Sequence, residues 1–478
     1  MQFGRNTDAR TAWTSIVGFA CNQGFVFSLF YLGSNRGLGD GVHVFERAEL
    51  FGTLLFMTAA FVLLRLVAPR ARDALLARPL VWCYAALLVV GSFVPLLVEN
   101  PAVGGLVLEC ALLGLPAGCL LAAWGRALGR EPIARSVPEV FLGSALGAAA
   151  CFACAVVPVA GAVLVLKLLP LGSAAALRRL LAGPPVSVLA PAEGAATLLS
   201  GKIVAGTAVF GLAAGFMETY GSDPGMATTP TFPVTLFLFV LFCIAALQLF
   251  GGEGGTPAED IAPAEGQGPL DGSYRLAVLL MMAGFLFVPV LADFGVPGEA
   301  IVLAGYLGLS AVLVSLFLVM GRITGQDAAL SFARGFTALF AGEMAGIALG
   351  NLLDLVGTRG QTPYAVVACA GLAALFAYLF LFTERDFRSL SVAVRDTDRF
   401  EEACRLVAEE AGLSRREAEI LPLALKGRTG ERIAAEFYIS KSTVDTHLRR
   451  IYQKCGVHGR QELIDLGERT ERRLAGRD

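Results

Sequence analysis

Up to residue 382 the chain returns twelve times to a stretch of about twenty mostly apolar residues, and that recurrence leaves few folds open. A stretch of this length crosses the ~30 Å hydrocarbon layer of a bilayer as a helix. Lipid offers no partner to an unpaired amide or carbonyl, so each crossing segment must satisfy its own backbone, which a helix does. The stretches are Thr11–Gly33, Leu50–Ala68, Leu80–Val98, Val103–Trp124, Val140–Val159, Gly161–Leu177, Ile203–Tyr220, Phe232–Phe250, Leu276–Phe294, Ala300–Met320, Phe336–Leu355 and Tyr364–Phe382. Val140–Val159 and Gly161–Leu177 almost touch and read as two spans or as one interrupted span, so the count runs from ten to twelve, with twelve preferred. A content of 55% hydrophobic and only 16% charged residues, with a mean hydropathy of +0.66, excludes an ordinary soluble globule. The expected fold is all-α: a polytopic bundle of about 12 spans, six and six, over residues 1–383, followed by a small polar helical domain.

The short loops set an orientation. Arg5 and Arg10 precede the first span; Arg70, Arg72 and Arg78 follow the second; Arg126, Arg130 and Arg135 the fourth; Arg178, Arg179 and Lys202 the sixth; Arg322 and Arg334 the tenth. The alternate loops hold mainly Arg36, Arg47 and Arg359. Positive charge stays on the cytoplasmic side, so the N-terminus is expected there, and an even span count returns the C-terminal tail to the same side of a cell inner membrane. The acidic, Gly/Pro-rich segment Gly251–Gly272 reads as a flexible linker. The first apolar stretch is long and lacks a processing site, so it is expected to stay as a span.

Most of the ten cysteines fall inside spans, where Cys acts as a small hydrophobe, and no disulfide framework or cofactor is expected. Cys151 and Cys154 have CxxC spacing but no second pair or histidine nearby. The three histidines, His43, His447 and His458, are scattered, and no Gly-rich phosphate loop precedes a helix. The expectation is no metal site, no catalytic residues and no enzyme.

The tail has its own grammar. Thr383–Ala411 begins as a polar linker and, from Asp398, places Phe400, Cys404 and Val407 on one helical face, a lead-in helix expected to pack on the terminal domain; linker and lead-in occupy 384–411 and the terminal domain 412–478. Within that domain Ser440 stands as an N-cap, and Val444, Leu448 and Ile451 recur at i, i+4 and i+7 as a buried stripe. Ser442, Thr446, Arg449, Arg450 and Gln453 then fall on the opposite face, where side chains reach base edges and phosphates. Glu431–Phe437 forms a second short helix, Tyr438–Ser440 is the turn, and small Ala434 and Ala435 suit a tight crossing, the arrangement of a helix-turn-helix. Between Lys426 and Arg460 eight basic residues, including Lys441, stand against three acidic ones, an excess of five positive charges able to neutralise phosphates.

These residues, about 55 in all, resemble the C-terminal domain of LuxR-type transcriptional regulators: LSRREAEIL opens a first helix capped by Ser414, Gly427 ends it, ERIAAEFYIS gives the scaffold helix and turn, STVDTHLRRIYQKCGV the recognition helix, and RQELI starts a fourth. The resemblance implies a four-helix DNA-binding fold, a structural Glu417 bridging to a basic residue, and DNA contacts at Thr443, Thr446, Arg449 and Lys454. The full candidate set is Lys441, Ser442, Thr443, Thr446, Arg449, Arg450, Gln453 and Lys454. Asp445 departs from the family, which often has Lys there; a carboxylate at that place either reads a cytosine amino group or lowers non-specific affinity.

The six-plus-six layout, divided by Arg178–Lys202, resembles the major facilitator superfamily in count and arrangement. The superfamily's loop signature after the second span is missing from VAPRARDALLARP, which counts against transport more than against fold. Polar residues at bilayer depth are Asn22, Gln23, Glu109, Lys167, Glu218, Glu343 and Asn351, with Glu218 and Lys167 nearer the membrane surface. Glu109, Glu343 and Asn22 are the candidate ligand contacts; the alternative is that the carboxylates pair with Lys167, with backbone or with water inside the bundle. Gly143–Ala150 suits close helix packing. The function expected is a membrane-bound one-component transcriptional regulator whose partners are double-stranded DNA, the lipid bilayer and an unknown small-molecule ligand, with a homodimer on two half-sites. The alternative is a major-facilitator-like secondary transporter with an appended DNA-binding head.

Overall fold

The computed structural model describes residues 2–32, 38–39, 44–97, 103–131, 133–157, 160–182, 201–220, 231–251, 269–291, 297–324, 327–356, 364–383 and 399–474. The segment Gly251–Gly272, read above as a linker, and Arg178–Lys202, read as the divide between the two sets of spans, lie mostly outside these residues, and 384–398 and His43 lie wholly outside. The chain divides into two compact units.

The first unit is helical. Its elements are α1 (Gln2–Tyr31), α2 (Ala48–Leu66), α3 (Pro69–Leu75), α4 (Arg78–Leu97), α5 (Val103–Leu128), α6 (Ile133–Val156), α7 (Ala160–Leu180), α8 (Gly201–Tyr220), α9 (Thr231–Gly251), α10 (Pro269–Leu291), α11 (Gly298–Thr324), α12 (Ala328–Val356) and α13 (Tyr364–Phe376). Two-residue strands β1 (Leu38–Gly39) and β2 (Val44–Phe45) pair antiparallel between α1 and α2. Among the described residues ten helices, α2 and α4–α12, are long and apolar enough to cross a bilayer. The first and twelfth stretches also form helices: α1, of 30 residues, and the shorter α13, which runs on into a π turn at Ala377–Leu381. The adjacent stretches about residue 160 are two separate helices, α6 and α7. This is a membrane protein.

Small residues decide which helices meet. In α8, Gly211 and Gly215 lie against the backbone of Leu339 and Glu343 in α12; Gly342 and Gly346 of α12 lie in turn against the carbonyls of Ala208 and Leu212. Lipid tails are as apolar as the helices, so close van der Waals contact between backbones stands in for hydrophobic attraction. Gly143 and Gly147 of α6 do the same against Ile16, Ala20 and Gly24 of α1, the role their sequence context predicts. In α11 89% of the spanning window is buried, against 28% in α4, so α11 is central and α4 peripheral. The last helix ends against its neighbours: Phe382 is fully buried, packs on Gly206 of α8 and accepts a 2.5 Å hydrogen bond from Tyr274 of α10 through its carbonyl.

The second unit is built from a helix over 399–410 (α14), α15 (Arg415–Leu425), α16 (Gly430–Phe437), α17 (Lys441–Cys455) and α18 (Arg460–Leu474). One core joins them. Cys404 and Val407 come from α14, Ile420, Leu421 and Leu425 from α15, Ile433 and Ala434 from α16, Val444, Leu448 and Ile451 from α17 and Leu463 from α18, with Phe400 packed at the edge. Of the two small residues expected at the helix crossing, Ala434 is buried and Ala435 is exposed.

Candidate functional site

The DNA-facing geometry starts at helix ends, where four amides have no intrahelical acceptor. Ser414 caps α15 as a capping box: its hydroxyl accepts from the Glu417 amide, and the Glu417 carboxylate accepts from the Ser414 amide at 2.8 Å. Thr429 caps α16 and Ser440 caps α17, accepting from the amides of Arg432 at 3.3 Å and Thr443 at 3.2 Å. Between α16 and α17 the chain turns through Tyr438 with φ of 53°, and α17 ends at Gly456 with φ of 66°.

With its ends fixed, α17 buries Val444, Leu448 and Ile451 and exposes Lys441, Ser442, Thr443, Asp445, Thr446, Arg449, Arg450, Gln453 and Lys454. Several exposed groups are already ordered. The Ser440 hydroxyl lies 2.8 Å from that of Ser442 and 2.7 Å from that of Thr443, and the Thr446 hydroxyl donates to the Ser442 carbonyl at 2.9 Å. Lys441 pairs with Glu431 at 2.8 Å. Arg449 and Arg450 make no ion pair among the described residues, leaving two guanidinium forks uncommitted on the outer face.

Lys454 is placed differently from the DNA contact implied above. Its ammonium donates to Glu417 at 2.7 Å and to the Gly412 carbonyl at 3.1 Å, so its charge is engaged within the domain. It is therefore the basic partner of Glu417. The Lys454 ammonium and then the Ser414 amide hold the Glu417 carboxyl down to about 2.

In the first unit the candidate ligand contacts separate. Glu343 of α12 is 5% exposed, accepts a 2.6 Å hydrogen bond from the Tyr306 hydroxyl, and lines a cavity of about 80 Å³ whose wall comes from α1, α2 and α5, which precede the divide at Arg178–Lys202, and from α9, α11 and α12, which follow it. Glu109 lines a different cavity of about 280 Å³, together with Glu49, Ser92 and Lys167. The two carboxylates do not share a pocket. Lys167 donates to the Ser92 carbonyl. Asn22 is buried and donates to Gln23 at 3.4 Å; Gln23, rather than Asn22, lines the Glu343 cavity.

Sequence reasoning missed a buried charge pair. Arg47, counted above as an outer-loop residue, is 2% exposed with a left-handed φ of 55°. It donates to Glu218 at 2.8 Å and to the Phe30 carbonyl at 2.9 Å, and its guanidinium lies 4.7 Å from the centre of the Phe232 ring. The Tyr31 hydroxyl donates to the other Glu218 oxygen at 3.0 Å, so Glu218, two residues from the end of α8, is buried within the bundle. The only local signal was that both residues border apolar runs at the same predicted side of the bilayer. Likewise Arg126 of α5 bonds both Asp73, at 3.0 Å, and Asp327. All ten cysteines are free. No cluster of three or more His, Cys, Asp or Glu suited to a metal occurs among the described residues.

Together these features define a LuxR-type helix-turn-helix domain carried by a polytopic helical membrane protein. Residues 411–466 match the family model described as bacterial regulatory proteins, luxR family. The same region is similar to the HTH-type transcriptional regulator MalT of Yersinia enterocolitica, 37% identical over 57 residues, and to MalT of Yersinia pestis, 39% identical over 57 residues. In each case the match covers 12% of this chain and 6% of the relative, so the likeness is confined to this domain. Among solved structures the chain is similar to FucP, a major facilitator superfamily transporter in the outward conformation, at 13% identity and a TM-score of 0.49, covering 79% of this chain and 98% of that one. It is also similar to an auto-inhibited POT family peptide transporter, at 12% identity and a TM-score of 0.45, covering 81% and 97%.

Proposed function

We propose that this protein is a membrane-bound one-component transcriptional regulator: α17 enters the major groove of promoter DNA, and the membrane unit binds a small molecule that controls it. The observation that carries the reading is the outer face of α17, where Ser442, Thr443, Thr446, Arg449, Arg450 and Gln453 stand exposed on a domain of the LuxR type, two of them arginines without an ion-pair partner among the described residues. Lys441 reaches a phosphate only by exchanging Glu431 for it, and Lys454 contributes chiefly by fixing the start of α15. The protein binds as a homodimer on two half-sites and sits in the inner membrane with both termini cytoplasmic, a placement supported by the arginine distribution of the loops. The cavity beside Glu343 is the ligand site, and the buried exit of α13 at Phe382 is the place where movement of α8 or α10 leaves the bundle.

Full-length protein in nanodiscs, offered genomic fragments recovered by crosslinking and immunoprecipitation, tests this in a gel shift. Arg449→Ala with Arg450→Ala is expected to weaken binding at least ~10-fold and to lower the salt slope by about two. Unchanged affinity in the double variant overturns the interface. A second reading, a secondary transporter with a regulatory head, is favoured by one observation, that the cavity draws its wall from both halves of the chain. Saturable labelled uptake into proteoliposomes, abolished by Glu343→Gln, would establish it.

A further inference from the structure

Charge and shape at Glu343 narrow the ligand, given the reading above that this cavity is the sensor site. Among the described residues Glu343 is the single charged side chain in the wall. Among them too, the charges that act on it are those of Glu218 and Arg47, and these are already spent on each other in a 2.8 Å ion pair, with Glu49 a further 3.8 Å claimant on the arginine. The Tyr306 hydroxyl donates to one carboxylate oxygen and brings no charge. Six rings, Phe27, Phe30, Tyr31, Phe239, Phe336 and Phe340, share the rest of the wall with aliphatic side chains and the neutral polar Gln23 and Ser310. Aromatic faces are the negative ends of the ring quadrupole, so a ring that turns its face to the guest adds to the pull of the carboxylate on a cation. An anion meets repulsion from the carboxylate. With an uncharged guest the buried Glu343 carboxyl has no counter-charge and is left to take up a proton, whereas a cation stabilises its ionised form. Size sets the other bound: about 80 Å³ is roughly half of the ~150 Å³ cavity that takes up benzene, yet several times the ~10–15 Å³ that one water needs.

We infer that the cavity binds a small organic ammonium ion, of fewer heavy atoms than the six of benzene, its positive centre held by Glu343 and its methyl or methylene groups by the surrounding rings. The Tyr306 hydroxyl fixes the carboxylate's direction, and Gln23 lends a neutral polar group to the wall.

Isothermal titration of purified full-length protein in nanodiscs with tetramethylammonium chloride and methylammonium chloride tests the assignment, with tert-butanol as the uncharged guest of similar size, sodium acetate as the anion and sodium chloride as the ionic-strength control. Saturable binding of one or both ammonium ions is expected, with a Kd raised at least tenfold by Glu343→Gln and severalfold by Phe340→Leu, while Glu109→Gln in the other cavity leaves it in place. The inference is overturned if Glu343→Gln binds as tightly as the parent, if tert-butanol or acetate binds as tightly as the cations, or if neither cation binds. Should Glu343→Gln fail to fold, Phe340→Leu and Tyr306→Phe decide the matter, and unchanged binding in both overturns it. No cation binding by a protein that still retards promoter DNA removes the ligand class and leaves the regulator. Cation binding by a protein whose DNA affinity ignores Arg449 and Arg450 does the reverse.

Discussion

Two sets of glycines, one from each unit, do opposite jobs. In the membrane unit Gly211, Gly215, Gly342 and Gly346 sit in the middle of helices, where a side chain on any of them would overlap the backbone of the facing helix. In the DNA-binding unit Gly427 and Gly456 sit just past helix ends with φ of 70° and 66°, and a methyl added to either meets nothing within 4 Å. The first group supplies room and the second a left-handed backbone. The solvent explains the contrast: in lipid, helices associate by close contact, whereas in water an apolar stripe such as Val444, Leu448 and Ile451 suffices and the difficulty moves to the helix ends.

The sharpest way to break the contrast is Gly215→Val, which forces α8 off α12. A cost of about 3 kcal/mol, at the upper end for overpacking, is expected as a lower melting temperature and loss of a monodisperse size-exclusion peak. A variant that runs and melts like the parent would show that the helices do not rely on this contact. Next in size is Glu417→Gln, which leaves Lys454 without a counter-charge and is expected to cost the 399–474 fragment about 2 kcal/mol in urea. The same residue sets a pH dependence. Its folded-state value of about 2 lies below the ~4.3 of a free glutamate, so its contribution is complete above that range and disappears as pH falls toward 2. Acid melts of parent and Glu417→Gln should therefore converge, and parallel curves would remove Glu417 as the source. Gly456→Ala should cost about 1 kcal/mol from backbone conformation alone, since there is space for the methyl. No loss would mean that the cap can re-form without a left-handed residue. Smallest is a gain: Tyr438 holds φ of 53° while 96% exposed, so Tyr438→Asn should stabilise the fragment by about 0.5 kcal/mol, read as a small rise in urea midpoint.

What could be read from the sequence was what depends on near neighbours. Ser414, Ser440 and Gly427 mark helix ends because caps work within three or four residues, and the apolar runs mark helices because a span is continuous in sequence. What stayed hidden links distant residues. Arg47 and Glu218 are 171 positions apart, and counting loop arginines cannot tell a solvated guanidinium from one buried against a carboxylate. Lys454 shows the same limit inside the head: a helical wheel puts it outside, and only the fold reveals Glu417, 37 residues back, at its tip. Asn22 and Gln23 are adjacent, but which of them lines the Glu343 cavity depends on the rotation of α1 against its neighbours, which α1 alone does not fix.

Two arginines each tie the first six helices to the later ones. Arg47, at the start of α2, grips Glu218 near the end of α8, and Arg126, near the end of α5, grips Asp327 just before α12. Helices that alternate in direction put these clasps at opposite mouths of the bundle. Each end of the bundle therefore carries one charge pair across the divide, and removing either arginine would strand a carboxylate at that end while the other end stays joined.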